Sequence, residues 1–180
     1  MTAPKAVLPA RFYALLFVVG LGTFLAHEFA HWLAGVALGH DMVATPNHVW
    51  SRQPMDAADQ AIVSAAGPVL TVLQGLLGDW LVRRRGLALG FALLYMAFFM
   101  RLLAAGMSLL NPNDEARVGQ LLGLGTWTLP LLVVGGLLAL LVPASRRLGL
   151  RFRDQLFCYV VASVVVSLIV SVDALFWRPA

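Results

Sequence analysis

His27-Glu28-Phe29-Ala30-His31 is the stretch of this chain best equipped for chemistry. Two imidazoles four residues apart on a helix share one face, about 6 Å apart, so both can reach one metal ion while the intervening glutamate stays beside it. The spacing fits a catalytic zinc. The motif lies inside an apolar run from Phe12 to Leu38. Three ionisable side chains in hydrocarbon are costly and are seldom kept there without a partner or a function. With four His and two Glu in 180 residues, random order gives HExxH in roughly one chain in a thousand of this composition. The plainer alternative is that both histidines are satisfied polar residues of a helix bundle.

The elements that position this motif must be membrane helices. The chain is 60% hydrophobic and 12% charged, with mean hydropathy +0.82, against a soluble norm of about 45–50% apolar and 25% charged. The expected fold is all-α, a polytopic transmembrane helix bundle forming one integral membrane domain over 1–180, with HExxH in the first span. Apolar runs near the roughly 20 residues needed to cross occur at 12–38, 61–82, 87–110, 121–142 and 155–177, which makes five spans. Lys5 and Arg11 before Phe12–Ala26 resemble a signal peptide, but cleavage near Ala26 would detach the run from its motif, so an uncleaved first span is expected. The net charge of +4 would suggest nucleic acid in a soluble protein. Here the basic residues sit at segment ends, where they read as anchors to the lipid bilayer, and no nucleic-acid partner is expected. Cys158 lies in an apolar run and reads as a small packing residue.

Lys5, Arg11, Arg83, Arg84, Arg85, Arg146, Arg147, Arg151 and Arg153 fall on one side of these spans, and Arg52, Arg117 and Arg178 on the other. The positive-inside rule then puts the N-terminus in the cytoplasm and the C-terminus outside, with a bacterial cell (inner) membrane as the expected setting. His27 is 16 residues beyond Arg11, Gly67 is 16 before Arg83, and Arg101 is 16 beyond Arg85. At about 1.5 Å per residue all three lie about 24 Å from the basic side, so three spans bring unusual residues to one level. The link over 40–60, with Pro46, Asn47 and Pro54, is an outer loop, and Met42–Thr45 and His48–Trp50 flank a turn compatible with a short hairpin. His40 and His48 in that loop are expected to be solvated.

Catalytic zinc commonly takes three protein ligands. Asp114, in Asn111-Pro112-Asn113-Asp114-Glu115 after the third span, is the first choice. It stands 29 residues beyond Arg85, roughly 13 Å further out than His31 if both helices are straight, unless Pro112 ends the helix and lets the segment turn back. Asp173 is the rival, level with His31 by the same count; its blander reading is an ion pair with Arg101 or Arg178. Arg101 either neutralises a carboxylate, the commoner case for an intramembrane charge, or polarises a substrate carbonyl. Asp79 reads as a helix pair with Arg83. Gly67, Gly75 and Gly78 read as close-packing positions, and Pro68 frees a helical carbonyl near the level of the motif.

Three of these places together resemble the site-2 protease family of intramembrane metalloproteases: HExxH in a membrane helix, Ala66-Gly67-Pro68 early in the next span, and Asn111-Pro112-Asn113-Asp114 after a third. The resemblance covers about the first 115 residues. It implies His27, His31 and Asp114 as zinc ligands, Glu28 as general base and acid, and a membrane-embedded protein substrate, with an accessory membrane protein as a further partner. Two features depart from the family pattern. Thr71 stands where GPxxN has its Asn, and the later NxxPxxxxDG pattern is compressed, with Glu115 after Asp114. The expected function is hydrolysis of a peptide bond in or near a membrane-spanning segment. The alternatives are a metal-binding regulatory membrane protein without turnover, and a small transporter or proton relay using His27, Glu28, Arg101 and Asp173.

Overall fold

The structure, a computed structural model, describes residues 8–177; Lys5 and Arg178, two of the charges used to orient the chain, lie outside them. The elements in order are helix α1 (Ala10–Ala37), strands β1 (Met42–Ala44) and β2 (Val49–Ser51), and helices α2 (Ala57–Arg85), α3 (Ala88–Met107), α4 (Asp114–Leu121), α5 (Thr128–Arg147) and α6 (Phe152–Phe176). Five of the helices, all but α4, are long and apolar enough to cross a membrane.

Burial along α1 runs opposite to that of a helix in water. Leu16, Gly20, Thr23, His27, His31 and Gly35, spaced three or four apart, form its buried stripe, while Val18, Leu25, Phe29 and Leu33 face outward. His27 is 3% exposed and its neighbour Phe29 56%. An arrangement with polar groups inside and large apolar groups outside is stable where the surroundings are hydrocarbon and the interior supplies hydrogen-bond partners.

The centre of the bundle is α3, packed against α1, α2 and α5. Phe91, Ala92, Leu94, Tyr95 and Met96 are all buried along one continuous stretch of it. It pairs with α2 through a turn at Gly86, whose φ of 61° ends α2 in the left-handed conformation that glycine adopts without strain. Beyond that turn the two backbones touch: a Cβ on Gly78 would meet the Gly90 carbonyl oxygen at 2.5 Å, and one on Gly90 the Gly78 carbonyl oxygen at 2.6 Å. Without a hydrophobic driving force between membrane helices, such close backbone approach supplies the dispersion contact that holds them. Cys158 is fully buried among the core residues.

Met42–Ala44 and Val49–Ser51 pair antiparallel, with Met42 opposite Ser51 and Ala44 opposite Val49. The Thr45 hydroxyl accepts from the backbone N–H of His48 at 3.0 Å, closing the turn. Gly35 leaves room on α1 for Met42, whose side chain occupies the space a Cβ would take. The fourth spanning helix differs from the expected 121–142 and begins at Thr128. Asp114–Leu121 forms a separate short helix, and Gly123 and Gly125, at φ 72° and 79°, turn the chain between the two. The apolar residues of 122–127 therefore belong to a turn, which apolarity alone does not distinguish from the start of a span.

Candidate metal centre

His27 and His31 occupy successive turns of α1 and point at α2, where Gly67 makes room for both rings. A Cβ on Gly67 would lie 2.6 Å from His27 Nδ1 and closer still to His27 Cε1 and His31 Nε2. The two rings are perpendicular, with centroids 4.6 Å apart.

The partners of the far nitrogens fix the tautomers. The Thr71 hydroxyl donates to the Gly67 carbonyl oxygen at 2.9 Å, so its lone pair is left to accept from His27 Nδ1–H at 3.1 Å. His31 Nδ1–H donates to the Val63 carbonyl oxygen at 2.6 Å, and a carbonyl can only accept. Both Nδ1 atoms thus carry protons, and in the neutral rings both Nε2 atoms present lone pairs. The carbonyl whose helical donor Pro68 removes is that of Ser64, so the acceptor that His31 uses is its neighbour and not the freed group itself.

Asp114 brings the third ligand atom. Its Oδ2 lies 3.2 Å from His27 Nε2 and 3.5 Å from His31 Nε2, and the two Nε2 atoms are 3.1 Å apart. Bonds of about 2.0–2.1 Å in a tetrahedral zinc site give ligand–ligand edges of about 3.3 Å, so the three separations fit one face of such a tetrahedron. His27, His31 and Asp114 form the one His/Cys/Asp/Glu group among the described residues suited to holding a metal ion. The chemistry of the set suits a cation: two imidazole nitrogens and a carboxylate converge in a buried space, with the Arg101 guanidinium beside them, 3.3 Å from His27 Nε2 and 3.5 Å from Asp114 Oδ2.

The straight-helix estimate that put Asp114 about 13 Å beyond His31 is corrected here. Helix α3 ends at Met107, and α4 starts at Asp114 with its first turn turned back toward the histidines. The Ser108 hydroxyl ties the reversal, donating to the Ala104 carbonyl oxygen at 2.9 Å and accepting from Asn113 N–H at 3.1 Å. Asn113 caps α4, and Asp114 and Glu115 follow in its first turn, where carboxylates are favoured by the helix dipole.

Asp173 takes no part in the group. Its contact is with His48 on the loop, at 3.8 Å between Oδ2 and Nδ1, and its buried Oδ1 has no hydrogen-bond partner among the described residues. Nor does it meet Arg101, which pairs with Glu115 at 3.0 Å and lies 3.5 Å from Asp114 Oδ2. Glu28 is half-buried on the turn that carries His27, and its carboxylate makes no hydrogen bond among the described residues. His40 pairs with Asp59 at 2.7 Å, and Asp79 with Arg83 in the expected helix pair. Glu115 is the residue sequence reasoning passed over. A buried arginine demands a carboxylate, and Glu115 is one residue from the chosen ligand, but only the reversal after Met107 brings it to Arg101.

Against family models, curated proteins and solved structures the chain has no match.

Proposed function

We propose that this chain is an intramembrane zinc metalloprotease that hydrolyses a peptide bond in or near a membrane-spanning segment of another protein. The observation that carries the reading is the convergence of His27 Nε2, His31 Nε2 and Asp114 Oδ2 with both Nδ1 atoms already engaged.

Zinc, when bound, supplies a Lewis acid that acidifies water and polarises a carbonyl. Glu28 accepts the proton of the attacking water as its oxygen bonds to the carbonyl carbon. It returns that proton to the amine nitrogen as the C–N bond breaks. Its freedom from other hydrogen bonds keeps it available for both transfers. Thr71 and the Val63 carbonyl hold the imidazoles in one tautomer and one orientation. A helical peptide bond hides its carbonyl carbon, so the substrate segment unwinds before cleavage, and the β1–β2 ribbon beside α1 offers an edge for an extended segment to pair with. The site lies in the outer half of the membrane with the N-terminus in the cytoplasm. Specificity comes from the bundle, the ribbon or an accessory membrane protein.

Metal analysis of purified protein, combined with cleavage of a membrane-spanning reporter, tests the reading. Wild type is expected to hold about one zinc per chain, His27→Ala to lose it, and Glu28→Gln to keep zinc while losing cleavage. Full zinc in His27→Ala, or cleavage by Glu28→Gln, overturns the assignment. A zinc-free wild type overturns the metal centre, and a zinc-bound wild type without hydrolysis leaves a binding protein.

A further inference from the structure

Arg101 and Glu115 belong to no motif, yet among the described residues they form the most buried ion pair, with side chains 3% and 6% exposed. We propose that this pair is a positioning clamp for the third metal ligand, an inference that rests on the metal-centre reading above. The guanidinium reaches three groups at once. Its NH1 donates to Glu115 Oε1 at 3.0 Å and lies 3.5 Å from Asp114 Oδ2, while its NH2 lies 3.3 Å from His27 Nε2. One rigid plane on α3 thereby touches ligands carried by α1 and by α4.

Helix α4 needs such a strut. It is 8 residues long and packs chiefly on α2 and α5, the Ser108–Asn113 hydrogen bond holds its start, and the Arg101 side chain joins its first turn to His27 on α1. Asp114 and Glu115 are adjacent buried carboxylates that repel one another in a low dielectric, and a single guanidinium between them offsets that repulsion. Glu115 in turn balances a cation that would otherwise stand uncompensated beside atoms meant for a metal. The pair is a poor device for stability alone. Arg101 Nε is buried without a hydrogen-bond partner among the described residues, and a buried ion pair seldom stabilises a fold more than apolar residues of the same volume.

The test measures zinc affinity and the visible absorption of a cobalt(II)-substituted sample for wild type, Arg101→Met/Glu115→Leu and Arg101→Lys, each in detergent with the fold checked by circular dichroism. The double variant removes both charges of the pair together and leaves Asp114 its two imidazole partners, so the helices are expected to persist. Its zinc affinity is expected to fall about 10- to 100-fold, as for other groups that orient ligands, with a changed cobalt spectrum. Arg101→Lys keeps the charge but lacks the fork that spans Glu115 and the ligands, and is expected to weaken zinc in the same direction by less. Zinc affinity and a cobalt spectrum equal to wild type in the folded double variant overturn the clamp. Should that variant fail to fold, wild-type affinity in Arg101→Lys overturns it. A wild type without zinc removes the metal centre and the clamp together, whereas zinc in wild type with unaffected variants removes the clamp alone.

Discussion

Histidine meets aspartate in the bundle interior and again on the loop between α1 and α2, and the two meetings differ in what the imidazoles have left to give. In the interior, His27 and His31 spend Nδ1–H on Thr71 and Val63 and turn Nε2 toward Asp114. On the loop, His40 faces Asp59 singly, and His48, with its side chain 71% exposed, stands 3.8 Å from Asp173. A single imidazole facing a carboxylate near water forms a surface pair that contributes little to stability. Two imidazoles whose far nitrogens are committed, closed off from water with a carboxylate, form a ligand set. Proximity of His and Asp is common to both regions; the committed Nδ1 atoms distinguish the first.

The sharpest way to break the difference is to disturb the wall behind the imidazoles. Gly67→Ala puts a methyl into the space both rings occupy, and neither ring can retreat without leaving Thr71 or Val63. Zinc content is expected to fall nearly to that of His27→Ala, with a loss of about 1–3 kcal/mol in stability from overpacking. Metal analysis with thermal unfolding checks this. A Gly67→Ala protein with full zinc would mean that the rings do not pack on α2.

Thr71→Val is gentler, because it keeps the shape and removes only the acceptor. His27 Nδ1–H is then buried without a partner, at a cost of about 1–3 kcal/mol, and the tautomer that presents Nε2 is no longer enforced. Zinc affinity is expected to fall about tenfold, and Thr71→Ser, which restores the hydroxyl, to recover most of it. Equal affinity in Val and Ser variants would show that the hydroxyl does not orient His27.

What the sequence revealed of this site follows from which residues sit within straight helices. Counting from the basic anchors placed His27, Gly67 and Arg101 at one level, and these three do meet, Gly67 against both imidazoles and Arg101 against His27. The count works there because rise per residue is constant along a helix. It fails for Asp114, which lies past the end of α3, where depth is set by a reversal at Ser108 and Asn113. The signals of that reversal were present in Pro112, in the capping Asn113 and in the two carboxylates after it, but they mark a helix start without giving its direction. Side-chain pairing was less legible still. That Arg101 needed a carboxylate followed from its place in a span, whereas the choice of Glu115 over Asp173 depended on how α4 folds back.

The smallest effect is expected where the two regions are most easily confused. Asp173 matches His31 in counted depth and carries a buried oxygen without a partner among the described residues, two properties that would suit a ligand. Its geometry does not suit one, since its near neighbour is the exposed His48 and it stands outside the group of three. Asp173→Asn is therefore expected to keep full zinc and to change stability by less than about 1 kcal/mol, because an amide loses only a weak pairing and relieves a desolvated charge. His48→Ala is expected to be as mild, within about 0.5 kcal/mol. Zinc lost from Asp173→Asn but kept by Asp114→Asn would move the third ligand from α4 to α6, and the orientation of α4 described above would have to be abandoned with it.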